Sequence, residues 1–215
     1  MYVLGINGSP RSNWNSDRML QQALLGAEEC GAKTEKTDLY QLNYTGCRSC
    51  FACKRLGGPG FARCTWPDDL KEVLDKALKA DLLLVAAPIY FRMVPGMVRC
   101  FYERLFYPSQ IYARDGRKGY ERDLRVGLIY TMNVDDPAVN RWPAETDRAD
   151  FERLVGPTDV LNIVDTCQFD DYSLYASERF DAAAKMRHRE EFFARDCLEA
   201  RDFGRRLAAA CLSTD

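Results

Sequence analysis

Tyr2-Val3-Leu4-Gly5-Ile6 is a short apolar run, and Asn7-Gly8-Ser9-Pro10-Arg11-Ser12-Asn13-Trp14-Asn15-Ser16 follows it directly. Beyond that loop, Met19, Leu20, Ala23, Leu24 and Ala27 recur at helical spacing from about Asp17. The order is a buried strand, a polar loop and an amphipathic helix. The loop offers backbone N–H groups, hydroxyls at Ser9, Ser12 and Ser16, amides at Asn13 and Asn15, and one guanidinium at Arg11. A helix N-terminus behind such a loop adds unpaired N–H donors and partial positive charge, which suits a phosphate. The same residue types also make ordinary turns, so both readings stand at this point. Neither G-x-G-x-x-G nor G-x-x-x-x-G-K-[ST] is present, which removes the common dinucleotide and P-loop fingerprints. Few glycines and many hydroxyl and amide side chains suit the single phosphate of flavin mononucleotide (FMN).

The rest of the chain repeats the alternation. Lys33–Leu39 reads as a polar edge strand, and Leu70–Ala80 as a helix opened by Asp68 and Asp69. Asp81–Ala87 is continuously apolar, as a parallel strand buried on both faces would be. A helix from about Met97 to Phe106, a strand over Leu124–Tyr130, a helix near Arg148–Leu154 and a strand over Asp159–Val164 follow. A last helix runs from about Ala182 to Leu212, with room for one break. Five such alternations predict an α/β protein, a parallel sheet with helices on both faces. Ligands in such sheets sit beyond the carboxyl ends of the strands. The loops after the first, third and fourth strands are therefore expected to meet at one edge.

Composition bounds the function. The 215 residues read as one domain over 1–215, with a cysteine-rich insertion at 43–67 and a C-terminal extension from about residue 166. A net charge of −2 gives no reason to expect nucleic acid or an anionic membrane as partner. No apolar run is long enough to span a bilayer, and the N-terminus has no leader pattern, so a cytoplasmic protein is expected. The single histidine, His188, argues against histidine-based catalysis and reads as a solvated helix residue. Nine cysteines are many for such a chain, and Cys47, Cys50, Cys53 and Cys64 cluster within the insertion. Clustering in a cytosolic context points to metal or redox chemistry. The spacing suits a 4Fe–4S cluster, while zinc and redox-active free thiols remain open.

The ordered set Gly8-Ser9-Pro10-Arg11 with Asn15-Ser16, Gly46-Cys47-x-x-Cys50-x-x-Cys53, Asp68-Asp69-Leu70, Pro88-Ile89-Tyr90-Phe91 and Tyr130-Thr131-Met132-Asn133 resembles a known family. It is that of the flavodoxin-like NAD(P)H-dependent FMN reductases, in their iron–sulfur flavoprotein branch. The resemblance implies a flavodoxin-like doubly wound sheet of five strands in the order 2-1-3-4-5. It implies that Ser9, Arg11, Asn15 and Ser16 hold the FMN phosphate. Pro88, Ile89, Tyr90 and Phe91 then lie along the isoalloxazine, beside Arg92, and Thr131, Met132 and Asn133 close the other side. Arg92 and Met93 stand where many relatives carry Gly-Asn. The four clustered cysteines would ligate a 4Fe–4S cluster, although the ten-residue gap before Cys64 is longer than in the family's compact motif.

The activity implied is transfer of electrons from reduced nicotinamide through flavin to an unidentified acceptor, with no catalytic acid or base assigned. An electron-transfer module fed by a ferredoxin, or a flavin-based redox sensor, is the alternative. Partners are then a small molecule or a ferredoxin-type protein. Aromatics at Phe101, Tyr102, Phe106, Tyr107, Tyr112 and Tyr120 read either as core or as the interface of a homodimer or higher homo-oligomer.

Overall fold

The structure is a computed structural model and describes residues 1–213. Five parallel strands form one sheet: β1 (Tyr2–Asn7), β2 (Lys33–Asp38), β3 (Leu82–Pro88), β4 (Arg125–Thr131) and β5 (Thr158–Ile163), in the order β2-β1-β3-β4-β5. The helices are α1 (Asn15–Glu28), α2 (Leu70–Ala77), α3 (Gly96–Ser109), α4 (Arg141–Leu154) and α5 (Ala182–Leu212). The chain moves outward from β1 to β2, then returns past β1 to add β3, β4 and β5. The reversal point therefore lies between β1 and β3, where Gly5 is paired with Leu84.

The apolar run of β3 divides between two cores because successive side chains point to opposite faces. Leu83, Val85 and Ala87 join Leu4, Ile6, Val126, Leu128 and Tyr130 under α2, α3 and α4. Leu82, Leu84 and Ala86 join Val3, Ile129, Leu161 and Ile163 under α1 and α5. Strand β2 is half-buried beyond its exposed first residue, Lys33, as its polar sequence requires of an edge strand. Lys36 on it is bonded to Asp17 at 2.7 Å, and Asp38 accepts from Asn7 Nδ2 at 2.7 Å.

The seam between α1 and α5 is unusually tight. A Cβ on Gly204 would stand 1.9 Å from the carbonyl oxygen of Ala23, and one on Gly26 would stand 2.0 Å from that of Arg201. Both contacts are with backbone, which cannot swing aside as a side chain can. Only hydrogen at these two positions lets the helices approach this closely.

Several helices differ from the sequence expectation, α2 among them, which ends at Ala77 and not Ala80. Helix α4 begins at Arg141, a full two turns before Arg148, through a stretch too polar to show a periodic apolar face. Helix α5 is unbroken for 31 residues. Helix α3 continues to Ser109. On α3, Phe101, Tyr102 and Phe106 are buried, and Tyr102 and Phe106 meet Phe151 edge-on at 4.9 and 4.7 Å. Those three aromatics belong to the core, and Tyr112 remains the exposed one of the group.

Candidate functional site: a cleft at the carboxyl edge of the sheet

The loops after β1, β3 and β4 converge on a cleft of about 870 Å³. Ser9, Arg11, Asn15, Ser16, Pro88, Ile89, Tyr90, Phe91, Thr131, Met132 and Asn133 all line it. Arg92 does not; it projects to solvent from the loop beside it.

The first loop is braced from within. Asn7 Oδ1 accepts from the Ser9 N–H at 3.0 Å, Ser9 Oγ accepts from the Arg11 N–H at 3.1 Å, and Asp17 accepts from the Asn13 N–H at 2.7 Å. Burial is the largest influence on the Asp17 carboxyl and pushes it upward. The Lys36 ammonium and the Asn13 N–H overcome it, so the carboxyl lies below its ordinary range. The residue before α1 is Trp14, which has no side-chain oxygen, so no side chain caps this helix. Its first-turn N–H groups therefore face the cleft end without a capping partner. Ser16 Oγ and Thr131 Oγ1 lie 2.7 Å apart and tie the first loop to the end of β4.

The loop after β3 is a tight reversal. Tyr90 N–H donates to Met93 O at 2.8 Å and Met93 N–H to Tyr90 O at 2.9 Å. Phe91 and Arg92 between them have φ of 50° and 66°. Two left-handed residues in a two-residue turn usually call for Asn-Gly, and each side chain here costs about 1–2 kcal/mol. Phe91 is nonetheless fully exposed, at 100%. A strained turn that holds a bare aromatic ring at a cleft mouth is the pattern expected where a ligand or partner supplies the missing contact.

The fourth wall was not legible in the sequence. Thr166, Cys167, Gln168, Phe169, Asp170, Tyr175 and Phe180, all from the strap between β5 and α5, line the same cleft, as does Trp14. Phe169 stacks on Tyr175 at 4.1 Å with planes 10° apart, and Tyr172 meets Phe169 edge-on. The strap is fastened to the first loop: Asn15 Nδ2 donates to Cys167 O at 2.8 Å, and Arg11 Nη1 to Gln168 O at 2.5 Å. Lys185, on the first turn of α5, is buried and bonds both Asn133 O and the Asp165 carboxylate. His188 lies 2.9 Å from the other oxygen of Asp165. It is half-buried and partnered, where the sequence suggested a solvated residue. Nothing short of the fold could have connected residues 11–15 with 167–189.

Two buried polar atoms in the cleft walls have no partner: the donor Trp14 Nε1 and the acceptor Asn133 Oδ1. Unsatisfied buried groups are uncommon, and a water, an ion or a bound ligand is what completes them.

The cysteine-rich segment forms a second site against α3, whose Arg104, Tyr107 and Pro108 line it. Cys47, Cys50, Cys53 and Cys64 all line one small pocket, together with Arg48, Arg63, Trp66 and Arg104. All four are free thiols. Among the described residues, no three His, Cys, Asp or Glu side chains converge closely enough for a single metal ion. Arg104 organises the pocket. Its side chain, 1% exposed, pairs with Asp68 at 2.5 Å and donates at 3.3 Å to each of Cys64 Sγ, Thr45 O and Trp66 O. Burial pushes the Cys53 thiol up, and its neighbours Cys47 and Cys50 add to that shift while Lys54 opposes it.

A β-α-β sheet with its reversal point at β1/β3, and a cleft there built around an uncapped helix N-terminus, defines a flavodoxin-like protein. Residues 1–128 match the family described as NADPH-dependent FMN reductase, and the chain belongs to that family. It is 32% identical over 104 residues to an iron–sulfur flavoprotein of Methanosarcina thermophila, covering 48% of this chain and 52% of that protein. It is 33% identical over 104 residues to an iron–sulfur flavoprotein of Methanocaldococcus jannaschii, covering 48% and 51%. The chain thus spans about half the length of the curated relatives it matches. Among solved structures it is similar to an NAD(P)H:quinone oxidoreductase from Methanothermobacter marburgensis, with a TM-score of 0.68 at 18% identity over 96% of this chain and 98% of that one. An azoreductase from Bacillus anthracis gives 0.64 at 16%, over 95% and 99%. At these identities the structural likeness establishes the fold.

Proposed function

We propose that the chain is an FMN-dependent oxidoreductase that takes electrons from reduced nicotinamide and passes them to a second acceptor. The observation that carries this reading is the cleft. It joins an uncapped helix N-terminus to an aromatic, strained rim and leaves Trp14 Nε1 and Asn133 Oδ1 unpartnered. Membership of the FMN reductase family supports the same cofactor.

The residues present suit FMN. Ser9, Ser16, the first-turn N–H groups of α1 and Trp14 Nε1–H are donors for its phosphate. Arg11 and Asn15 already bond the strap, so their part is to hold the strap against the phosphate loop while Arg11 keeps its charge near it. Pro88, Ile89, Tyr90 and Phe91 offer a flat wall, and Asn133 Oδ1 accepts from a donor on the ligand. When bound, the flavin supplies hydride acceptance from nicotinamide and onward transfer in one- or two-electron steps. The chain binds and orients it, and the Phe169–Tyr175 wall keeps water from one side of the cleft. No side chain is assigned as general acid or base.

We propose that Cys47, Cys50, Cys53 and Cys64 hold a 4Fe–4S cluster. Four thiols on one pocket are the donor set it needs. Arg104 donating to Cys64 Sγ, with Arg48 and Arg63 beside it, offsets thiolate charge. Such a cluster supplies single-electron transfer.

The alternative donor, an acidic ferredoxin-type protein, is favoured by one feature. Residues 39–67 carry Arg48, Lys54, Arg55 and Arg63 and no acidic residue, and expose Phe51 and Leu56 among them. A homo-oligomer that buries this face or the cleft rim is proposed as well, and a monomer by light scattering would overturn it.

The test is a UV–visible spectrum of anaerobically purified protein, with iron and acid-labile sulfide assays and NADH or NADPH oxidation against quinone and ferredoxin acceptors. Flavin bands with nicotinamide oxidation support the reading, and about four irons per chain support the cluster. Absence of flavin refutes the first. Flavin without iron refutes the second alone.

A further inference from the structure

We propose that Arg189, on α5, lies against Trp14 and Asn15 of the cleft wall without lining the cleft itself, supplies a second positive charge to the phosphate end, and gives the cleft selectivity for FMN over riboflavin. The inference rests on the FMN reading above and assigns a residue outside the 1–128 segment that matches the family.

The Arg189 guanidinium donates to Asn15 Oδ1 at 3.0 Å. It also lies 4.8 Å from the centre of the Trp14 ring, over which Arg11 lies at 3.8 Å. Two guanidinium groups thus share one indole at the N-terminus of α1, itself the positive end of a helix dipole. Neither arginine has a carboxylate within ion-pair distance among the described residues, although the chain carries 32 acidic residues. Like charges gathered around a helix N-terminus with no counter-ion repel one another, and an anion relieves that repulsion. The donor left without a partner, Trp14 Nε1, is in the same indole. A dianionic phosphate ester fits this charge and donor pattern, and a neutral alcohol does not.

Arg189 also fixes Asn15. By donating to Oδ1 it turns the amide so that Nδ2 points to Cys167 O, which seats the strap. Phe193, one turn further along α5, supports the guanidinium from 4.4 Å. The glycine seam at Gly26 and Gly204 brings α5 close enough for this contact across 174 residues of sequence.

The experiment titrates flavin-stripped full-length protein with FMN and, separately, with riboflavin, by quenching of flavin fluorescence. Wild type, Arg189→Gln and Arg189→Lys are compared, each first checked for an unchanged urea midpoint. Arg189→Gln is expected to weaken FMN by about tenfold and leave riboflavin unchanged, since the positive charge removed is one that the phosphate alone would feel. Arg189→Lys, which keeps the charge, is expected to recover part of the FMN affinity. An FMN-to-riboflavin ratio equal to wild type in Arg189→Gln overturns the proposal, whether both affinities fall together or neither moves. If the glutamine variant does not fold, the lysine variant decides: FMN binding weakened with riboflavin unchanged supports the proposal, and an unchanged ratio overturns it. Failure of wild-type protein to bind FMN instead overturns the reading on which the proposal rests.

Discussion

Replacing Gly204 with Ala tests the packing on which the cleft depends. The new methyl carbon would sit 1.9 Å from Ala23 O and 2.6 Å from the Ala23 carbonyl carbon, both backbone atoms. Neither can rotate away, so α1 and α5 must separate by about 1 Å, enough to forfeit a quarter to a half of each dispersion contact along the seam. That seam includes Leu20, Leu24, Phe203 and Leu207, all buried. Overpacking of this kind costs about 1–3 kcal/mol, and a clash with rigid backbone belongs near the upper end. Alanine returns roughly 1 kcal/mol through its better helix propensity. The net loss is then about 2 kcal/mol, or roughly 4–8 °C in Tm for a chain of this size. Urea denaturation of flavin-free protein measures it, with Gly96→Ala as control, since a Cβ there meets nothing within 4 Å. If Gly204→Ala matches wild type while Gly96→Ala does too, the seam is not close-packed and the account of how α5 reaches the cleft fails.

Three further outcomes are expected. Asp147 is buried and accepts from Tyr130 OH at 2.7 Å, and burial pushes its carboxyl above the usual range. A raised acid binds its proton more tightly in the fold, so its contribution to stability is greatest below the unfolded value and is lost as pH rises through the folded one. Asp147→Asn should therefore flatten that decline in urea midpoints measured from pH 4 upward; an unchanged slope would count against it. Arg92→Gly should stabilise the protein by about 0.5–1 kcal/mol, because the residue makes no hydrogen bond or ion pair among those described and gives up left-handed strain, less the added freedom of the unfolded chain. A lower Tm would refute the turn geometry. Arg104→Met leaves the largely buried Asp68 without its partner and should cost about 3 kcal/mol, while loss of the guanidinium beside the Cys64 sulfur should slow alkylation of Cys64 in iron-free protein. Unchanged alkylation would mean the guanidinium does not stabilise that thiolate.

The strands and the loops after β1, β3 and β4 were legible because they obey local rules. An apolar run buried on both faces, a polar edge strand and a Ser/Asn loop before a helix each carry their signal within about ten residues. Tyr90 and Phe91 could be placed at the cleft from their position just past a strand end. The strap and α5 could not. Cys167, Gln168 and Arg189 gain their roles from partners at Arg11 and Asn15, and no periodicity spans that separation. Trp14 is silent in the sequence for a similar reason, since an aromatic in a turn carries no signal of the two guanidinium groups that lie over it in the fold. Arg92 was expected at the site through the family pattern, but the left-handed turn directs it outward.

The length of α5 has a dynamic consequence. At 1.5 Å per residue its 31 residues extend about 46 Å, well over twice the span of a six-residue strand. Its buried positions are concentrated from Asp196 to Ala208, with Lys185 the exception at the near end. The C-terminal half is clamped to α1, and the preceding turns reach along it as a cantilever toward Lys185, His188 and Arg189. Amide protons over 183–195 should then exchange with solvent well before those over 196–208, through a local opening that leaves the sheet intact. A ligand that engages Arg189 would slow exchange at the N-terminal end and leave the clamped end as it was.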